Sequence, residues 1–174
     1  MTDDELVAHV LDTGDAAAFG ELVRRHEARI RALLRRLTGG DEARAEDLAQ
    51  DSFLLAYRNL ARFRREAALA TWLVRIAVRR YLSDARRRRP QPLAESELPE
   101  VIDEAAVAPE AHLDLEHGLA RIREEQRIAL VLTHAYGFTH EEVAELTGWP
   151  LGTVKTHATR GRAALRTALT GDHE

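Results

Sequence analysis

The apolar positions of this chain recur at the 3.6-residue spacing of helices rather than the alternation of strands. Phe19, Leu22, Val23, His26, Ile30, Leu33, Leu34 and Leu37 share one helical face. Gly39-Gly40 predicts the end of that helix, and Asp41 the cap of the next. In AEDLAQDSFLLAYRNL, the spacing turns Leu48, Phe53, Ala56, Tyr57 and Leu60 inward, with Ala49 at the margin. Asp47, Gln50, Asp51 and Leu54 then fall at i, i+3, i+4 and i+7 and form one outward stripe. A third helix is predicted over AALATWLVRIAVRRYLSDARRRR, burying Leu69, Leu73, Ile76, Ala77 and Leu82. Trp72 is expected to pack partly there and partly against the preceding loop, while Arg75, Arg79 and Arg80 point elsewhere.

The periodicity then stops. Segment 90–112, PQPLAESELPEVIDEAAVAPEAH, carries four prolines and reads as a linker, with room for a short helix around 101–108. Beyond it, Ile122, Ile128, Ala129, Leu132 and Tyr136 predict helix with one apolar side, ended by Gly137. Thr139 caps a short helix and pairs with Glu142 as a capping box; Val143, Ala144 and Leu146 are its apolar side. Gly148-Trp149-Pro150 is a turn, after which Leu151, Val154, Ala158, Gly161, Leu165 and Leu169 line the inner face of a last helix. Helix, short turn and helix form a helix-turn-helix pattern, whose second member enters the DNA major groove. Its exposed front is Thr153, Lys155, Thr156, His157, Thr159 and Arg160. The same hairpin also suits a protein contact. The expected fold is all-α: two small helical domains, 1–89 and 113–174, joined by a flexible acidic linker.

Charge sharpens this picture. The formal net charge is -4, yet it is unevenly placed. Segment 58–89 holds eleven arginines against Glu66 and Asp84, a net of +9. Segment 90–116 is -8, and segment 151–170 is +4. Local charge, not the total, governs a nucleic-acid footprint. In NLARFRREA, Arg62, Arg64 and Arg65 flank Phe63, an interleaving that suits unpaired bases. The alternative for Phe63, Trp72 and Tyr81 is core packing, and for the run Arg86 to Arg89 a solvated helix end. Lys155 is the only lysine; with Arg160 it would neutralise phosphates.

Other chemistries find little support. The chain has no cysteine, which excludes disulfides, thiolate metal sites and cysteine catalysis. No phosphate-cradling Gly-rich loop or clustered catalytic set is evident, so neither an enzyme, a cofactor nor a metal is expected. The start MTDDELVAHV lacks a basic signal region, and no apolar run is long enough for a bilayer, so a cytoplasmic protein without direct membrane contact is expected.

Taken together, the blocks resemble a bacterial RNA polymerase sigma factor of the sigma-70 family, extracytoplasmic-function group. AEDLAQDSFLLAYRNLARFR is similar to the family's region 2.2 and the start of 2.3, TWLVRIAVRRYLSDARRR to the rest of 2.3 with 2.4, and FTHEEVAELTGWPLGTVKTHATRGRAALR to region 4.2. The resemblance implies a promoter-specificity subunit. It implies that Asp47, Gln50, Asp51 and Leu54 dock on the beta-prime coiled coil of core polymerase, with the beta flap as a further contact. It implies that Asn59, Arg62, Phe63, Arg64, Arg65, Trp72, Arg75, Arg79, Arg80, Asp84, Arg87 and Arg88 hold the -10 element as single strand. Thr153, Lys155, Thr156, His157 and Arg160 would read the -35 duplex, and an anti-sigma factor is an implied partner. Three departures stand out: Arg79 where the family often has Asn, Arg121-Ile122-Arg123 where Leu-Pro is common, and Trp149-Pro150 in place of a small or polar pair. Two other classes fit the same surfaces, a stand-alone helix-turn-helix regulator and a protein-interaction adaptor.

Overall fold

The computed structural model describes residues 1–88 and 111–170, and every regular element among them is helical. The chain divides into two compact units, Met1–Tyr81 and Leu82–Glu174. The predicted linker as far as residue 110, with its short helix around 101–108, lies outside the described residues, and its last two positions, 111 and 112, begin a helix instead.

The first unit opens with a helix that the apolar spacing did not predict, α1 (Asp3–Thr13). Its punctuation is nevertheless plain. Thr2 and Glu5 form a reciprocal capping box, and Gly14 closes the helix at φ 71°. Leu6, Val7 and Val10 are buried against α2 (Ala16–Leu37). Asp3 ties the two helices, meeting His26 Nε2 at 2.6 Å and accepting from Arg25 at 3.2 Å. On α2, Arg24 and then Arg25 hold the Glu21 carboxyl below the usual carboxylate range. Leu22, Ile30, Leu33, Leu34 and Leu37 are buried as the spacing required, each contributing about 2 kcal/mol of transfer free energy.

Gly39 and Gly40 both take positive φ, and Asp41 accepts from the Arg44 amide at 3.0 Å, so the predicted break and cap are present. The helix that follows, α3 (Glu42–Asn59), buries a row of mostly small residues, Ala45, Leu48, Ala49, Ser52 and Ala56. Ser52 remains satisfied by donating to the Leu48 carbonyl at 2.6 Å. Two expectations fail here. Phe53 is only half-buried and Tyr57 is exposed, because each sits about 100° further round the helix than the buried Ser52 and Ala56 before it. A single 3₁₀ turn, Leu60–Arg62, leads through the loop to α4 (Leu69–Arg88). Its buried face is broader than expected: Val74, Val78 and Tyr81 join Leu69, Leu73, Ala77 and Leu82, while Ile76 is half-buried.

The second unit contains α5 (Ala111–Ala120), α6 (Glu124–Leu130), a π turn over Val131–Ala135, α7 (His140–Thr147) and α8 (Leu151–Thr170). Helix α8 is the spine against which α5, α6 and α7 all pack. Ile122 lies in the turn between α5 and α6 rather than on a helix, and it is still buried. Val154, Ala158 and Gly161 face inward, but Leu151 at the first position of α8 is 36% exposed. Arg127 is a buried charge on α6 that the pattern did not indicate. Its Nη1 donates to the carbonyls of Leu119 and Ile122 at 3.2 and 3.3 Å, satisfying the end of α5. Arg127→Met keeps the packing volume but removes those donors. We expect it to lower the stability of this unit by about 2 kcal/mol, read by thermal denaturation, with no gain from the lost charge.

Candidate functional site

The outward face of α8 is the complement of its buried one. Thr153, Thr156, His157 and Arg160 sit at i, i+3, i+4 and i+7, flanked by Lys155 and Thr159. Lys155, Thr156, Thr159 and Arg160 are exposed, and Thr153 is half-buried at the helix start. The approach to this face is fixed by α7 and the turn. The Thr139–Glu142 capping box starts α7, with bonds of 2.9 and 3.1 Å. Gly148 ends it at φ 76°. Thr156 donates back to the Gly152 carbonyl at 2.9 Å, which leaves its oxygen lone pairs directed outward as acceptors. His157 differs from its neighbours, since its ring packs edge-on against Trp149. The predicted readers of this helix are therefore brought together on one surface, with His157 partly enclosed.

The basic region over residues 58–88 is less uniform. Arg62, Arg64 and Arg65 are exposed in the loop before α4, and Arg65 holds a left-handed backbone at φ 59°. Phe63 is not available beside them: it is 9% exposed and its ring meets Trp72 at 5.3 Å. Half-buried Trp72 thus braces the loop from below, as the spacing suggested. Asn59 turns back to donate to the Leu55 carbonyl at 2.8 Å. On α4, Arg75 is half-buried and Arg79 exposed. Arg87 and Arg88 are exposed, Arg88 pairing with Asp84 at 3.1 Å.

The acidic stripe of α3 splits into two environments. Asp47 and Gln50 are exposed, and Leu54 is 55% exposed. Asp51 instead receives both Nε and Nη2 of Arg80 on one carboxylate oxygen, at 3.0 and 2.7 Å. Two residues assigned to different partners, Asp51 to polymerase and Arg80 to DNA, therefore hold each other. Beside the stripe runs an apolar groove of about 550 Å³ between α2 and α3, floored by Phe19, Val23, Phe53, Leu54 and Tyr57. Phe19 and Tyr57 meet edge to face at 4.9 Å, and one rim is charged, with Arg31 bridging to Glu46 at 2.9 Å.

Comparison with known proteins agrees with this arrangement. Residues 22–91 match the family Sigma-70 region 2, and residues 112–165 match Sigma-70, region 4. The ECF RNA polymerase sigma factor SigM of Mycobacterium tuberculosis is 35% identical over 164 residues, covering 94% of this chain and 82% of that protein. The chain is an ECF sigma factor of the sigma-70 family. The RNA polymerase sigma-H factor of Pseudomonas aeruginosa is 32% identical across 96% of this sigma factor and 93% of its own length. Among solved structures, the sigma factor RpoE in complex with the anti-sigma factor NepR from Bartonella quintana superposes with a TM-score of 0.65 at 27% identity, covering 89% of this chain and 98% of that one. CnrH in complex with the cytosolic domain of CnrY gives 0.63 at 27% identity, with 98% of each chain covered.

As a sigma factor the protein directs RNA polymerase to promoters, and it is not itself an enzyme. No helix among the described residues is long and apolar enough to cross a membrane. Sequence reasoning missed three features of the surface: the groove, the Asp51–Arg80 bridge and the Trp149–His157 contact. The groove had a readable signal, because Phe19 and Val23 are matched by Phe53 and Tyr57 on the next helix, four apolar side chains beyond what two packed helices need. The other two depend on distances between elements, which periodicity does not contain.

Proposed function

We propose that this sigma factor engages a promoter through two separate faces once core polymerase holds both units. The observation that carries this reading is the exposed Thr153, Lys155, Thr156 and Arg160 surface on α8, opposite the buried Val154, Ala158 and Gly161. In the -35 duplex, Lys155 and Arg160 neutralise phosphates, and the threonines meet phosphate or base edges near the helix start. In the -10 element, Arg62, Arg64, Arg65, Arg75, Arg79, Arg87 and Arg88 track the backbone of the melted strand, while Phe63 supports the loop from within. Capture of unpaired bases draws the duplex toward the open state. Two linked contacts raise each other's effective concentration, so the free protein binds promoter DNA far more weakly than the holoenzyme. The segmentation 1–89, 90–112 and 113–174 is retained, supported by the limits of the two family matches.

Core polymerase docks, in this reading, on Asp47, Gln50 and Leu54 with the adjoining groove, through the beta-prime coiled coil. The beta flap meets the C-terminal unit. An anti-sigma factor competes for these surfaces; support comes from RpoE, whose solved structure contains one. The cytoplasm is the compartment in which these partners meet. Run-off transcription with purified core enzyme on a promoter library tests the whole reading. Selection of templates sharing a -35 and a -10 sequence is expected, and unchanged start-site choice on every template would end it.

Asp51→Arg is expected to weaken core polymerase binding more than -35 duplex binding by the free chain that carries the same substitution. Pairing it with Arg80→Asp rebuilds the bridge in reverse. If polymerase affinity returns in the double variant, Asp51 acts by holding Arg80; if it stays low, Asp51 meets polymerase directly. Equal losses in both assays for the single variant contradict the docking assignment.

A further inference from the structure

The helix-turn-helix arrangement does not by itself require an aromatic residue in its turn, yet Trp149 occupies that place. Its backbone N–H donates to Thr147 Oγ1 at 3.2 Å, and the Thr147 hydroxyl donates to the Val143 carbonyl at 2.7 Å. Pro150 follows with its fixed φ, so the indole is carried on a short, stiff segment. That indole meets the His157 imidazole with 5.3 Å between ring centroids and 62° between planes. His157 is the seventh residue of α8, on the stripe with Thr153, Thr156 and Arg160.

The ring nitrogens of His157 are not equivalent. Nδ1 is buried and has no hydrogen-bond partner among the described residues. A buried N–H without an acceptor is the costlier way to leave such a position, whereas a bare lone pair is better tolerated. The neutral ring therefore carries its proton on Nε2, and this is the nitrogen left to meet a ligand.

We propose that Trp149 is a positioning residue that orients His157 so that Nε2–H donates to an acceptor atom of the -35 duplex, a directed contact that the charges of Lys155 and Arg160 do not supply. The proposal rests on the assignment of α8 to the -35 element. The acceptor is a major-groove atom such as guanine O6 or N7, or a phosphate oxygen. A base-edge contact makes Trp149 and His157 a specificity pair; a phosphate contact makes them a register-setting pair. Arg160 and Lys155 flank the ring as charges that attract any sequence equally.

The test uses the full chain assembled with core polymerase on promoters randomised through the -35 element. Glutamine places an amide nitrogen where Nε2 lies, and asparagine where Nδ1 lies. His157→Gln is expected to keep wild-type binding within about twofold, while His157→Asn and His157→Ala weaken it about three- to tenfold. Trp149→Ala reproduces the loss, and Trp149→Phe restores most of it by keeping an aromatic edge. Loss of preference at a single base pair assigns the acceptor to a base; a uniform loss across templates assigns it to phosphate. A long-range ¹H–¹⁵N spectrum of the free chain at mildly alkaline pH gives a readout independent of DNA, with the His157 proton on Nε2 in the wild type and a tautomer mixture in Trp149→Ala. A proton on Nδ1, or equal binding by His157→Gln and His157→Asn, overturns the proposal. A wild-type holoenzyme that selects no -35 sequence overturns the promoter reading itself, and this inference with it.

Discussion

Gly161→Val is expected to unfold the C-terminal unit well below the temperature at which the wild type melts. A Cβ at position 161 would lie 2.7 Å from the Gln126 carbonyl oxygen and 3.2 Å from its carbon, both backbone atoms that cannot rotate away. Helices α6 and α8 approach so closely at this point that only glycine fits, and separating them disturbs buried Ile128, Ala129, Val154 and Ala158. Overpacking of this kind costs about 3 kcal/mol with the branched valine, or roughly 15 °C in melting temperature for a domain of this size. Gly161→Ala recovers close to 1 kcal/mol of helix propensity and should lie between the two. Gly118 provides the control, since a Cβ there meets Leu165 Cδ1 at 2.8 Å, the mobile end of a side chain. Fluorescence distinguishes the units because Trp149 belongs to one and Trp72 to the other. The Trp149 signal, isolated by Trp72→Phe, should melt early in Gly161→Val. An unchanged melting temperature would show that α6 and α8 do not pack as described.

The second large effect concerns the groove. Leu54→Glu combined with Tyr57→Glu should abolish co-purification with core polymerase, weakening binding about a hundredfold or more, as removal of apolar anchors at an interface centre does. Both side chains are exposed, 55% and 43%, so the double variant should retain its helicity and its thermal stability. A further measurement separates this from a general charge effect. Asp47→Ala, on the same helix but away from the apolar floor, removes an exposed acid and should cost no more than about tenfold. Undiminished polymerase binding by the double variant would remove the groove from the docking surface and return that role to the polar stripe alone.

Much of this architecture was legible in the residues. Long periodic segments with strong caps, from Phe19 to Leu37 and from Thr139 to Gly161, formed where the spacing placed them. The errors have specific physical origins. Helix α1 is short and acidic, and its capping box Thr2 to Glu5 is a stronger signal than its three buried apolar residues. The helical spacing turns Phe53 and Tyr57 inward with Leu48 and Ala56, but α3 packs through its alanines, Leu48 and Ser52, which leaves the two aromatics on a groove. Periodicity gave no indication of buried Arg127, because its partners, the carbonyls of Leu119 in α5 and Ile122 in the following turn, become neighbours only after folding. The candidate DNA-facing residues of α8 share one surface as the 3.6-residue repeat dictates. Their individual roles divide on side-chain contacts that the repeat does not contain: Thr156 bonds its own helix, and His157 is partly enclosed by Trp149.

Position 155 has one more consequence. It holds the sole ε-amine of the polypeptide, and it stands exposed beside the Thr153–Arg160 stripe of α8. Amine-directed reagents thus find only this atom and the α-amino group. Above neutral pH, acylation, biotinylation or glutaraldehyde fixation would therefore fall on the α-amino group and on the surface proposed to face DNA. With the α-amino group blocked, reductive trapping to an aldehyde-bearing abasic duplex would report through one atom how near the proposed DNA-facing surface of α8 comes to each base position.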